Sequence, residues 1–149
     1  MKLTLEPADN AELEVILRGN PDDPQVAQII AALNAARAIS RLFLYREGRA
    51  YLCPVEDILY FEASGGKILA HTARDVLETR YKLYELADML RGSGCIQINK
   101  GVLVNAHHVL SVEPEFSGNY TAVLRAGAVR LTISRKYFKA FRDYVVKEL

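Results

Sequence analysis

A chain of 149 residues, half hydrophobic and a quarter charged, has the size of one globular domain with room for a small appended unit. Its two cysteines are too few for a disulfide framework or a four-cysteine metal site, so we expect Cys53 and Cys95 to pack as free thiols. The net charge of +1 hides an asymmetry, because residues 1–36 carry −4 and the remainder carries +5. An acidic accessory region beside a module that binds a polyanion has this pattern.

The sequence also argues against a membrane protein and against an enzyme. No apolar run is long enough for a membrane span, and the N-terminus lacks the apolar stretch of a signal peptide, so we expect a cytoplasmic protein. His71 stands alone, the adjacent His107 and His108 point in different directions, and Cys95 has no base near it in the sequence. We therefore expect no enzymatic activity, no metal, no cofactor and no small-molecule substrate.

Residues 1–41 predict two strands followed by a helix. Apolar residues first alternate with polar ones as in half-buried strands, at Leu3, Leu5, Leu13, Val15 and Leu17. Asp23 and Pro24 then offer an N-cap and a first helical residue. Helical spacing follows at Val26, Ile29, Ile30, Leu33 and Arg37. We predict a helix from Pro24 to Ile39, whose alanines allow close packing on the protein's own sheet or on a second copy.

From Ser40 onward the pattern becomes one of short strands separated by turns, which is typical of a β-rich module. Predicted strands cover residues 42–46, 49–53, 58–63, 67–72, 76–79, 120–125 and 129–133, and the stretch 96–105 also has strand character. Hairpin turns are expected at Glu47-Gly48 and Ser64-Gly65-Gly66. A short helix from Leu83 to Leu90 ends at glycines, and a C-terminal helix begins after Ser134, which we expect to cap it.

Two predicted strand ends carry side chains suited to nucleic-acid recognition. Gln97, Asn99 and Lys100 follow one strand, and Arg135 and Lys136 follow another. Amides, lysine and arginine hydrogen-bond base edges and phosphates, so a fold that juxtaposed these ends would present a DNA-reading surface. The same residues also fit an ordinary turn and a solvated first helical turn, and residue types alone leave both interpretations open.

The order and spacing of several motifs resemble the LytTR family of bacterial DNA-binding domains. The motifs are DILYFEA at 57–63, YEL at 84–86, the stretch 96–105 with its VN pair, and ISRKY at 133–137. The resemblance covers about residues 42–147, and residues 1–41 resemble the extension of stand-alone members that lack a phosphoreceiver domain. It implies a mainly β, α+β fold of short antiparallel sheets with a short helix and a C-terminal helix. It also implies DNA contacts made by loops that enter successive major grooves.

The resemblance further implies three base-reading loops. They fall on Gly65, Gly66 and Lys67, on Gln97, Asn99 and Lys100, and on Arg135 with Lys136 beside it. This chain departs from the family pattern, because Gly66 stands where many members have histidine and the second loop has lost a cation and a hydroxyl. We expect a shallower salt dependence and a different base preference. Asn105 is expected to cap the turn at residues 106–108 and not to contact a base.

These observations predict a transcriptional regulator that binds repeats in double-stranded promoter DNA as a homodimer. Residues 42–149 would form the DNA-binding domain, and residues 1–41 a β-β-α extension for dimerisation or regulation. Stand-alone members often accompany a small membrane protein, so the helix from Pro24 is the candidate contact for a regulatory membrane-protein partner. The alternative is a protein-interaction or sequestering module with weak or lost DNA binding, which the reduced loop charge favours.

Overall fold

The protein folds into two antiparallel sheets and three helices in a computed structural model, which describes residues 1–9, 13–36 and 38–149. The strands are β1 Arg41–Arg46, β2 Arg49–Pro54, β3 Ile58–Ser64, β4 Lys67–Thr72, β5 Val76–Thr79, β6 Cys95–Asn99, β7 Val102–Asn105, β8 Val109–Pro114, β9 Tyr120–Leu124 and β10 Arg130–Ile133. The helices are α1 Pro24–Ala36, α2 Leu83–Met89 and α3 Arg135–Glu148. The expected mainly β, α+β fold is confirmed.

The larger sheet has seven strands in the order β2-β1-β5-β4-β3-β7-β6, and the smaller has three in the order β10-β9-β8. The two sheets meet where the end of β10 reaches the edge of β6. There the Ser134 backbone N–H donates to the Ile98 carbonyl at 2.9 Å. This junction fixes the start of α3 beside the last residues of β6.

Two hydrophobic cores hold these layers together. The first lies between the larger sheet and α2 and includes Phe61, Leu86 and Leu103. The second lies between β6–β7, the smaller sheet and α3. Cys95 is buried in the first core, where burial raises the pKa of its thiol to about 12, and Cys53 packs partly buried against the same core. Both cysteines are free thiols, as predicted.

The two predicted N-terminal strands are wrong. Residues 1–9 and 13–23 form no strand, and Leu3 and Leu13 are 95% and 90% exposed. Alternation gives a segment two faces, but a strand also needs a hydrogen-bonded neighbour and a surface to bury against. In this part of the described chain neither is present, so only the helix of the expected β-β-α extension forms.

Helix α1 begins as predicted and ends earlier than predicted. The Asp23 carboxylate accepts from the Gln25 backbone N–H at 2.9 Å, which is the expected cap. The described helix covers Pro24–Ala36 and Ile39 is not helical, and Ser40 beyond it accepts from the Val55 N–H after the β1–β2 hairpin. Arg37, the last residue of the predicted stripe, lies outside the described residues.

Close packing seats α1 on the body of the protein. It contacts α3 and the turn at Arg91–Ser93, and the Asn34 amide donates to Glu148 at 3.3 Å. A Cβ added to Gly92 would lie 2.1 Å from the Asn34 carbonyl oxygen, so only glycine permits this approach. Packing of α1 on a second copy stays a prediction.

Strand β8 was missed in the sequence for a physical reason. Its pairing with β9 shifts register between Val109 and Ser111, which is the signature of a bulge. The shift breaks the two-residue period, and Leu110 faces solvent. A search for alternation therefore passes over this strand.

Candidate nucleic-acid interface

Several turns lie at one end of the two sheets, where β3, β6 and β10 finish. The Ala63 N–H donates to the Gly101 carbonyl at 2.8 Å, which joins the β3–β4 turn to the β6–β7 turn. The Asn99 amide donates to the Thr132 carbonyl at 2.8 Å, which joins the β6–β7 turn to the end of β10. The fold thus brings together the two strand ends that the sequence indicated, at the ends of β6 and β10. The β3–β4 turn, which carries Lys67, lies beside them. We call this end of the molecule the loop surface.

The β3–β4 turn has a geometry that requires its glycines. Gly65 and Gly66 have φ angles of +58° and +79°, and the flanking Ser64 and Lys67 pair across the strands. Two consecutive positive φ angles define a type I′ hairpin, which glycine adopts without steric cost. A histidine at position 66 would be strained in this turn, which accounts for the departure noted in the sequence.

Lys67 supplies the one cation of this turn and is held by an ion pair. Its Nζ lies 2.9 Å from the Glu78 carboxylate, and both side chains are exposed. Exposed ion pairs contribute only about 0–1 kcal/mol. Lys67 can therefore exchange Glu78 for a phosphate at little cost.

The two amides of the β6–β7 turn hold the turn itself. Gln97 donates from Nε2 to the Asn99 carbonyl at 2.9 Å. Asn99 uses both ends of its amide, because its oxygen accepts from the Gly101 N–H at 2.9 Å while its nitrogen bonds Thr132. A bidentate contact with adenine needs a free donor and a free acceptor. Each of these bonds uses one of the two donors or one of the two lone pairs of the Asn99 amide, so base reading by Gln97 and Asn99 stays a prediction.

Three cations project from the remaining turns of the loop surface. Lys100 is exposed at the tip of the β6–β7 turn, and Arg135 and Lys136 are exposed in the first turn of α3. The Lys136 ammonium lies 5.9 Å from the ring centroid of Tyr137. Together with Lys67 they form a positive surface on rigid turns, which suits a polyanion.

A further turn, between β8 and β9, contributes to this surface and was missed in the sequence. The Asn119 side-chain oxygen accepts from the Arg135 backbone N–H at 3.0 Å. Gly118, with a φ of +90°, lies under the arginine, since a Cβ there would come within 3.2 Å of Arg135 Nη1. The sequence Ser117-Gly118-Asn119 signals a turn, but nothing local indicates that it supports Arg135.

Ser134 occupies the N-cap position of α3 without the predicted side-chain bond. Asn119 satisfies the Arg135 N–H instead, because the β8–β9 turn lies directly beside the start of the helix. Replacing Asn119 by alanine should therefore lower the free energy of unfolding by about 0.5–2 kcal/mol, the value of a helix cap. Urea unfolding measures this loss, Asn119→Asp should largely avoid it by keeping an acceptor, and equal stability of all three proteins would refute the cap.

Asn105 has the structural role that the sequence predicts. It is buried, its amide donates to the Ile58 carbonyl at 3.0 Å and the Val55 carbonyl at 3.4 Å, and its oxygen accepts from the His107 N–H at 3.2 Å. It caps the turn at Ala106–His108 and ties β7 to the turn before β3. A side chain committed in this way lies inside the fold and not on the loop surface.

Two of the three histidines, His71 and His108, have structural partners for their rings. His71 Nε2 lies 2.6 Å from the Glu62 carboxylate, and its ring stacks on Tyr60. His108 Nε2 lies 2.6 Å from the Glu56 carbonyl. Within the described ranges, no group of histidine, cysteine and carboxylate side chains has the arrangement of a metal site, and no helix is long and apolar enough to span a membrane.

Comparison with known proteins agrees with this geometry. A family model described as the LytTr DNA-binding domain matches residues 48–145. A solved LytTr DNA-binding domain from Bacillus cereus superposes with a TM-score of 0.67 and 20% identity, covering 72% of this chain and 98% of that one, which shows a common fold.

Two curated regulators are similar in sequence. The sensory transduction protein LytT of Bacillus anthracis is 24% identical over 118 residues, which are 79% of this chain and 48% of the relative. The transcriptional regulatory protein YpdB of Escherichia coli K12 is 24% identical over 112 residues, which are 75% of this chain and 46% of the relative. The chain thus spans about half the length of the curated relatives it matches.

Proposed function

We propose that this chain, which belongs to the LytTR family of DNA-binding domains, is a transcriptional regulator that reads repeated promoter sites as a homodimer. The matching family model confirms the family that the motifs predicted. The model and the similar regulators also indicate a protein that binds DNA and is not an enzyme. The dimer, the repeats and the residues that read them belong to the proposal. So does a cytoplasmic location, where bacterial promoters lie.

One observation carries the proposal, namely that hydrogen bonds between turns unite four cations on the loop surface. The bonds from Ala63 to Gly101 and from Asn99 to Thr132 fix the spacing of the turns. Because the turns are already held to one another, they lose little conformational entropy when they bind DNA. This favours recognition of base edges by these turns.

We assign different tasks to the six residues predicted to contact DNA. Arg135 and Lys100 read guanine edges, since arginine and lysine pair with guanine O6 and N7. Lys67 and Lys136 neutralise phosphates and set the register. Gln97 and Asn99 lie at the DNA face and shape the β6–β7 turn through the bonds that they already make.

Residues 1–41 act in this proposal as the dimerisation or regulatory unit beside a DNA-binding domain at 42–149. Helix α1 packs on α3, the helix that begins with Arg135, and Asn34 bonds Glu148 near the other end of α3. A membrane-protein partner that bound α1 would thereby act on the helix that carries a reading residue. Independence from a phosphoreceiver domain stays a prediction.

An electrophoretic shift with the DNA upstream of the protein's own gene tests the function. Specific binding predicts a shift that survives an excess of shuffled duplex of the same length. Equal competition by the shuffled duplex, or no shift, would instead favour the sequestering module with weak or lost DNA binding.

The salt dependence of binding tests the cationic surface separately. Replacing Lys136 by alanine should make the slope of log K against log salt shallower by about 0.9, because the proposal assigns this lysine to one phosphate and each neutralised phosphate releases counterions. Fluorescence anisotropy over a range of potassium chloride concentrations measures the slope. The matched control is Arg74→Ala, because Arg74 is exposed in the β4–β5 turn at the opposite end of the sheet. Identical slopes for the two variants would contradict the assignment of Lys136.

A further inference from the structure

The N-terminal segment presents apolar side chains that nothing in the described chain covers. Of the nineteen exposed large hydrophobic residues in the described chain, nine lie within the first 36 positions. Leu13, Val15 and Leu17 among them occupy every second position, and Val15 is 55% exposed. The segment therefore has the side-chain pattern of a strand and lacks a sheet to join.

The larger sheet has an open edge of matching character. β2 is its outermost strand and pairs with β1 alone among the described strands. Phe43 and Leu52 lie opposite each other across that pair and are 57% and 52% exposed. Arg49 and Pro54 protect the two ends of this edge strand, whereas its four central residues, 50–53, carry no charge and no proline that would oppose pairing with another chain.

The hairpin that carries the β2 edge and the N-terminal segment have opposite net charges. The hairpin at residues 41–54 carries Arg41, Arg46 and Arg49 against Glu47, a net +2, whereas residues 1–23 carry −4. Arg46 also pairs with Asp75 at 2.9 Å, so Arg41 and Arg49 are the arginines that flank the edge without that ion pair. Opposite charge steers two surfaces together and sets their register. Two acidic N-terminal segments would instead repel each other.

We infer that residues 13–17 of one copy add as a strand to the free edge of β2 in a second copy. Because each copy carries both surfaces, two such contacts related by a two-fold axis close a dimer and leave neither surface exposed. Backbone hydrogen bonds along β2 would supply affinity, and the Phe43–Leu52 pair would receive the apolar side chains of the segment. The inference rests on the proposed homodimer and names its interface.

Analytical ultracentrifugation of the full chain tests the interface with one variant on each side. Val15→Asp and Leu52→Asp should each raise the dimer dissociation constant at least about tenfold, because a carboxylate enters an apolar contact. Both positions are exposed in the single chain, so folding should be unaffected. The control is Leu110→Asp, which places the same charge on β8, the outer strand of the smaller sheet, where Leu110 is 59% exposed.

An equimolar mixture of the two variants makes the test specific. In a mixed pair, the intact segment of the Leu52→Asp copy meets the intact edge of the Val15→Asp copy, so one of the two contacts survives. The mixture should therefore dimerise more strongly than either variant alone. Failure of the mixture to do so would overturn the inference.

Other outcomes separate this inference from the proposed function. A wild-type dimer that Leu52→Asp leaves intact would overturn the β2 interface while the homodimer stands. If the wild-type protein is a monomer at all concentrations, both the β2 interface and the homodimer are ruled out. A monomer is the result expected if the segment covers β2 within its own chain. A specific shift of a single DNA repeat by that monomer would still leave the DNA-reading surface in place.

Discussion

Replacing Arg135 by alanine is expected to reduce discrimination between the promoter repeat and shuffled DNA by about 1–3 kcal/mol, the value of one bidentate contact with guanine. The structure gives this residue an exposed side chain on a fixed base. Its backbone N–H bonds Asn119, the preceding Ser134 N–H bonds Ile98, and Gly118 lies beneath the guanidinium. Paired anisotropy titrations with the repeat and the shuffled duplex measure the difference.

The Arg135→Lys variant separates the recognition of a base from the effect of the positive charge. Lysine keeps the positive charge but lacks the planar fork of the guanidinium, so the salt slope should persist while discrimination falls. Arg74→Ala, at the far end of the sheet, should preserve both quantities. Unchanged discrimination in Arg135→Ala would remove this residue from the reading surface.

The second large effect is expected on stability, at Asn105. Its replacement by alanine leaves the Val55 and Ile58 carbonyls and the His107 N–H without this partner. Each buried group that loses its hydrogen bond costs about 1–3 kcal/mol, and we expect a total loss of about 2–4 kcal/mol because the three bonds share one side chain. Urea unfolding followed by circular dichroism measures it.

Asn99→Ala provides the matched control for Asn105. Asn99 also makes hydrogen bonds to backbone groups, but it lies in a partly exposed turn where water can replace them, so the expected loss is about 0.5–1.5 kcal/mol. Folded Asn105→Ala protein should retain discrimination between repeat and shuffled DNA. Wild-type stability combined with lost discrimination would make Asn105 a base contact and contradict the structural role.

The sequence predicted local features well where one signal decided them. Glycines with positive φ mark the hairpin turn at Gly65 and Gly66, and Asp23 and Pro24 mark the start of α1. The motifs identified the family, and Asn105 was assigned correctly as a cap. For the hairpin turn and the start of α1, the neighbouring residues contain the physical cause.

Features that depend on distant residues could not be derived in this way. The strand pattern at Leu3 and Leu13 was clear, but the partner edge that a strand needs is not encoded locally, and neither residue lies in a strand of the described chain. The cap of α3 comes from Asn119 in another turn and not from the adjacent Ser134. The bond from Asn99 to Thr132 spans the junction of two sheets, so the sequence could not show that this amide already has a partner.

Dimethyl sulfate footprinting of the upstream DNA tests the reading of guanines most directly, because the reagent modifies guanine N7 in the major groove. The loop surface predicts protected guanines in successive major grooves, about 10–10.5 base pairs apart. Protection should disappear at one position of each repeat in Arg135→Ala and at another in Lys100→Ala. Protection that is unchanged in both variants, or absent with the wild-type protein bound, would contradict recognition by these turns.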